Sequence, residues 1–252
     1  MYRPGWLMLL SLVACAPGPA RRAVLPPAGD DEASVEVGDE GDDDGGALDE
    51  VPAWEPGRPL VDEVTRELAA MHSSTYSHRT HVSEAAGRFE LDCSGLVDYA
   101  LARAAPRALA ELRAATVRRP LAKHYVAFLR ALGAGATPAR WRAISHAADL
   151  EPGDVIAWLR PADVSTRNTG HVMIVGGQVD RYHHGVLIVP VIDSTSVPHG
   201  ASDSRSRAHA TGMGTGEVVL LLDDAGAPIG YRWSRGRKAR PHATTIAMGR
   251  IE

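Results

Sequence analysis

Cysteine is nearly absent: the 252-residue chain has two, Cys15 and Cys93, too few for the disulfide framework of a small secreted scaffold. Lysine is equally scarce, with Lys123 and Lys238 alone, so arginine supplies the positive charge. No Walker loop occurs; the glycine-rich Gly212-Met213-Gly214-Thr215-Gly216 lacks a following Lys and helix and reads as a flexible connector. His78 and His81 are spaced by three, but no Glu lies between them and no second cluster has metal spacing, which argues against zinc hydrolysis and leaves no metal or other cofactor expected. The apolar run from Trp6 to Ala14 is far shorter than the roughly 20 residues a membrane-spanning helix needs. What remains is ordinary globular composition, 44% hydrophobic and 23% charged, with length for one sizeable domain or two small ones. The net charge of -4 hides an asymmetry. Residues 30–50 hold 11 of the 31 acidic residues and no Lys or Arg, and from Val51 onward 24 basic residues face 20 acidic ones, too mild an excess for a nucleic-acid partner.

Arg3 followed by the short apolar run has the form of a signal peptide. Its end, Leu12-Val13-Ala14-Cys15, resembles the bacterial lipobox; an ordinary secretory signal is the alternative. The resemblance implies that Cys15 is diacylated and becomes the mature N-terminus, a membrane anchor of the two-chain kind that holds stably. Ala16 rather than Asp in the next position implies sorting to the outer membrane, facing the periplasm of the bacterial envelope. Residues 16–59 are Pro, Gly, Ala and acid without hydrophobic periodicity, which reads as a flexible acidic tether. Their spacing does not match a calcium-binding EF-hand loop. Residues 60–252 then form the folded domain.

Within it, helical spacing predicts helices over Leu60–Met71, Cys93–Ala104 and Arg119–Leu132, the last with Pro120 in its first turn. After Pro152-Gly153 the texture becomes short β-type runs: Asp154–Leu159, His171–Val175, Val186–Ile192, Val218–Leu222 and Ile229–Trp233. Helices first and strands after predict an α+β domain with an antiparallel sheet. No internal repeat is present.

Cys93 follows a small-residue turn and opens an amphipathic run, which puts it at a helix N-terminus, where free backbone N–H groups and the helix dipole favour an anion. A lone cysteine is otherwise a small buried hydrophobe. With Cys15 acylated, however, Cys93 is an unpaired thiol in an oxidising compartment.

The string Asp92-Cys93-Ser94-Gly95-Leu96-Val97 resembles the nucleophile motif of the NlpC family of papain-like cell-wall cysteine peptidases. Two later stretches are similar to that family in the same order: Leu150-Glu151-Pro152-Gly153-Asp154-Val155-Ile156, and the histidine strand Gly170-His171-Val172-Met173-Ile174-Val175-Gly176. The agreement covers roughly residues 70–195. The resemblance implies a papain-like fold with N-terminal helices packed on an antiparallel sheet, and hydrolysis of amide bonds in peptidoglycan stem peptides. Cys93 is the implied nucleophile and His171 the general base, the alternative for His171 being a satisfied core histidine. The family's orienting acceptor is a His, Asn or Gln on the next strand; here Asp193 follows Val186–Ile192, with His199 as competitor. Asp92, Ser94 and Tyr76 stand around the nucleophile as oxyanion or substrate residues, with the Cys93 backbone N–H as one oxyanion donor and Tyr76 at a longer spacing than the family's tyrosine.

The region from Ala105 to His146 is a second departure, an extra helical segment carrying Tyr125, Phe128 and Trp141. These read as core packing, or as a lid or substrate wall. Arg205 offers a carboxylate-binding rim; a plain turn from Asp203 to Arg205 is the simpler account. Two rivals stand beside the peptidase: an acyltransferase or other amide or thioester hydrolase using the same residues, and a non-catalytic envelope scaffold.

Overall fold

The computed structural model describes residues 57–252 except Thr137, His184 and His209. The expected signal peptide, Cys15 and nearly all of the tether lie outside the described residues. Helix α1 (Arg58–Ala70) begins two residues before the expected boundary, with Pro59 in its first turn, so Arg58 and Pro59 belong to the helix rather than the tether. Leu60, Val61 and Val64 fall on one face at i, i+1, i+4 spacing and are buried.

The expectation that helices come first fails next. Residues 73–91 form a small sheet of β1 (Ser73–Tyr76), β2 (His81–Ser83) and β3 (Arg88–Leu91), in the order β1-β3-β2, with β1 and β3 parallel. Three helices follow: α2 (Cys93–Ala104), α3 (Pro106–Ala115) and α4 (Ala122–Gly133). Helix α4 starts after Pro120, which therefore lies outside it; Leu121 is extended and its N–H reaches His124 Nδ1 at 3.0 Å. The predicted helical segment ends instead in a strand, β4 (Trp141–Ile144).

The large sheet continues with β5 (Val155–Leu159), β6 (Gly170–Val175), β7 (Asp180–His183), β8 (Val186–Thr195), β9 (Gly212–Leu222), β10 (Pro228–Arg232), β11 (Pro241–Ala243) and β12 (Ile246–Ile251). Its order is β11-β10-β9-β8-β6-β5-β12-β4, with β7 paired to β8, and its ladders are antiparallel. The α+β class with helices on an antiparallel sheet is therefore observed. Both faces are covered, which is why the central strands read as unbroken apolar runs. Val155, Ala157, Val172 and Ile174 pack under the helices, while the alternating Ile156, Trp158, Met173 and Val175 join the opposite core with Leu187, Val189 and Leu220.

The glycine-rich 212–216 stretch is the first half of β9, not a connector. An added Cβ on Gly214 would sit 2.7 Å from Arg205 Nε, and one on Gly216 2.8 Å from His199 Cδ2. The alternate glycines leave one face of β9 bare so that the 199–205 loop can lie directly on it. Among the described residues no helix is long and apolar enough to cross a membrane.

Candidate active site

Strand β3 delivers the chain to α2 through Asp92, the N-cap. Its Oδ1 accepts from Gly95 N at 2.7 Å and from Ser94 Oγ at 3.0 Å. One carboxylate oxygen is thus spent on the orphan donors of the helix start, and Ser94 gives its hydroxyl hydrogen to that cap. The other oxygen, Oδ2, lies 3.2 Å from His78 Nδ1 and 3.6 Å from Arg119. Cys93 is buried immediately after this cap. Behind it, Ser194 Oγ donates to Leu91 O at 2.7 Å, tying the approach to α2 directly to β8.

His171 opens β6 after Gly170, whose φ of 146° and position suit glycine alone: a Cβ there would be 1.8 Å from Trp158 O. The His171 Nε2 lies 2.6 Å from Asp193 Oδ2, and the Cys93 side chain is near enough to the ring to act on its charge. Burial opposes charge on this ring, but the neighbouring Cys93 and Asp193 side chains outweigh it and push the imidazole up to about 10. The Trp158 and Trp233 rings flank it at centroid distances of 5.7 and 5.1 Å.

Asp193 lies within β8, which runs on to Thr195, rather than after the strand. Ile174 pairs with Ile192, so Asp193 shares the face of Met173 and His171. It is completely buried. Burial resists its ionisation, but His199 and His171 more than compensate and hold the carboxyl well below the usual range. His199 is not a competitor for this place; its Nε2 reaches the same Oδ2 at 2.8 Å, while its Nδ1 faces Trp233 O at 3.1 Å.

Arg205 is likewise buried, which overturns its reading as a substrate-binding rim. Its guanidinium bonds Asp193 Oδ1 at 2.9 Å, both oxygens of Asp203 at 2.7 and 2.8 Å, and Gly212 O at 2.7 Å. Asp203 also accepts from His199 N at 2.7 Å. The turn from Asp203 to Arg205 is real, but its work is to clamp Asp193. Each buried charge meets an opposite one, the condition under which such burial is tolerated.

His171, Asp193 and His199 also present ligand atoms within 4.8 Å of one another. Their N···O spacings of 2.6 and 2.8 Å are those of direct hydrogen bonds; two ligands of a tetrahedral zinc stand roughly 3.3 Å apart. The Arg205 cation on the same carboxylate further disfavours a metal there. His78 and His81 are both exposed, one facing Asp92 and the other Glu90.

Tyr76, at the end of β1, is half-buried beside the thiol, and burial followed by the charges of Cys93 and Asp92 raises its phenol. Asn168 lines the same two cavities as Tyr76. The sequence did not mark Asn168; its proximity to Gly170-His171 was the available signal. Tyr125, Phe128 and Trp141 are core residues: Tyr125 Oη donates to Asp98 at 2.5 Å, and Trp141 Nε1 to Ala108 O at 2.9 Å. The inserted region reaches the cleft instead through its α3–α4 connection, where Arg119 and Leu121 line the cavity at Cys93. Asp154 of the Pro-Gly-Asp stretch is structural, accepting from Glu151 N at 2.7 Å and from Arg250 at 2.7 and 2.8 Å.

No protein-family model and no solved structure matches the chain. It is similar to an uncharacterized protein of Acanthamoeba polyphaga mimivirus, 34% identical over 122 aligned residues that cover 41% of this chain and 54% of the viral one. The chain thus spans about half the length of that relative.

Proposed function

We propose that the domain is a cysteine hydrolase with a papain-like, NlpC-type arrangement, acting on amide bonds of peptidoglycan stem peptides or related peptides. The carrying observation is the buried series Cys93, His171, Asp193, with the thiol at a helix start and the imidazole hydrogen-bonded to the carboxylate and near the thiol. In this reading His171 takes the Cys93 proton and the thiolate attacks the scissile carbonyl. The oxyanion forms beside the Cys93 backbone N–H, with Tyr76 and Asn168 facing it; one well-placed donor contributes on the order of 3 kcal/mol. His171 then returns the proton to the leaving amine, and water cleaves the thioester. Residues of the chain itself supply every role, with no cofactor.

A second reading, acyl transfer, is favoured by one feature. The cavity beside His171 presents the partly exposed Trp233 and Val164, apolar side chains better suited to an organic acceptor than to water. The lipobox resemblance adds a lipid anchor at Cys15 and a place at the outer membrane, facing the periplasm. Incubation with purified muropeptides, products being identified by mass, tests the hydrolase. Cys93→Ala is expected to abolish turnover while circular dichroism stays unchanged, and turnover retained in that variant overturns the mechanism.

A further inference from the structure

The inserted region, which the peptidase resemblance leaves without a role, helps to build a further cavity beside the helix that carries Cys93. Its volume is about 580 Å³, within the range of small-molecule sites. Three stretches close on it. The β1–β2 connection brings Arg79 and Thr80, α2 offers the face that begins at Ser94, and the end of α3 with the α3–α4 connection brings Arg113, Arg118 and Arg119.

This cavity is rich in donors and nearly bare of acceptors. Four guanidinium groups face one carboxylate, Asp98. Both oxygens of Asp98 are already engaged, Oδ1 by Tyr125 Oη at 2.5 Å and Oδ2 by Arg113 at 3.4 Å. Arg119 leans on His78 O and approaches Asp92 Oδ2 at 3.6 Å, so even with Asp92 counted four cations stand against two anions. The cavities at Cys93 and His171 have a smaller excess, Arg119 and Arg167 against Asp92 in one and Arg160 alone in the other. The remaining donors of the arginine-lined cavity have nothing to donate to. Among the described residues, Arg79 and Arg118 make no side-chain hydrogen bond or ion pair, and neither does the Thr80 hydroxyl. Thr80 stands over the first turn of α2, its Oγ1 2.7 Å from where a Cβ on Gly95 would lie.

Guanidinium groups without partners on a concave surface are the natural complement of phosphate, whose oxygens accept parallel N–H bonds from each fork. A single carboxylate would cancel one positive charge and leave the others opposed. A diphosphate has charge and acceptor oxygens for Arg79 and Arg118 together, which enter from different connections. We propose that this cavity binds a diphosphate group, held by Arg79 and Arg118, with Arg119 and the Thr80 hydroxyl completing the donor set. The site does not depend on the cysteine-hydrolase reading. Ser94 and Arg119 line both this cavity and the one at Cys93, so the bound group lies against the helix that carries the thiol. The recognising chemistry is the same whether a soluble molecule or a lipid carries the diphosphate.

Calorimetric titration of the full chain with inorganic pyrophosphate, at near-physiological salt, tests the site. Pyrophosphate should bind roughly tenfold more tightly than sulfate, and Arg79→Gln and Arg118→Gln should each weaken it by roughly tenfold, the size of loss when a charge-assisted hydrogen bond is removed. Both side chains are exposed, so neither replacement disturbs the core. Arg237→Gln and Arg240→Gln take the same charge from the exposed β10–β11 connection and should leave the affinity unchanged. Titration with geranyl diphosphate separates the carriers: tighter binding than pyrophosphate assigns a lipid-borne group, and equal or weaker binding a soluble one. Absence of pyrophosphate binding, an affinity no better than that for sulfate, or equal losses from the β10–β11 variants overturns the site.

Discussion

His171 and His199 point into a single oxygen of Asp193, Oδ2, at 2.6 and 2.8 Å. The other nitrogen of His199 faces a backbone carbonyl, Trp233 O, whereas His171 has Cys93 as its other polar neighbour. Asp193 is therefore oriented from three sides, by His171, His199 and Arg205.

That relationship ranks the substitutions. Asp193→Asn should lower kcat by roughly 10⁴-fold, the size of loss when the orienting Asp of a serine triad becomes Asn. His199→Gln removes one charge-assisted hydrogen bond of about 1.5 kcal/mol and should cost roughly tenfold. His199 acts through Asp193, so its loss should also displace the kcat/KM pH profile, which a merely structural change would leave in place. Equal losses in the two variants would contradict the ranking.

The imidazole of His171 is pushed up to about 10, against burial, by the neighbouring Cys93 and Asp193. In Cys93→Ala that neighbour is gone while burial still opposes the charge, so the midpoint should fall below 10. The imidazolium would then be lost at lower pH than in the native protein. Nitrogen-15 NMR of the labelled ring measures this directly, and an unchanged midpoint would show that Asp193 alone sets the charge.

Much of this site was legible because its demands are local. Asp92-Cys93-Ser94-Gly95 describes a helix cap, and Gly170 before His171 describes a backbone conformation closed to other residues; both are complete within a few positions. The clamp was not legible, because Arg205 reaches Asp193 only after β9 has laid its bare face against the loop. Glycine in alternate positions reads as flexibility when the object filling the space is distant in sequence. The strands of residues 73–91 escaped notice for a related reason: Ser73-Ser74-Thr75-Tyr76 has β-compatible residues but little apolar alternation, and its pairing with β3 supplies the stability.

Glu67 on α1 offers a test of stability alone. Its side chain is fully buried, both its carboxylate oxygens lack a hydrogen-bond partner, and burial, then the nearby Glu63, lifts it to about 8. The folded state holds this proton where the unfolded chain, near 4.5, releases it, so stability is fully present below about 4.5 and falls as pH rises toward 8. Glu67→Gln should be the more stable protein at pH 8 by a few kcal/mol and should flatten the slope between those limits. Urea unfolding across pH measures both, and parallel curves for the two proteins would refute the assignment.

For the anchor, Cys15→Ser in the native host should release the protein from the membrane fraction, since the acylation that the lipobox resemblance implies needs that thiol. A variant that still sediments with membranes and still carries fatty acid would remove the anchor from the proposal.

The Ser194 to Leu91 hydrogen bond joins positions 103 residues apart. Bringing them together closes a long loop, a step that comes late in folding because its entropy cost precedes its reward. In the proposed mechanism Cys93, made early in translation, thus meets His171 and Asp193 only after β6 and β8 have been synthesised and docked. On that reading a nascent or truncated chain would carry Cys93 without its partners, and activity would come only with the completed fold.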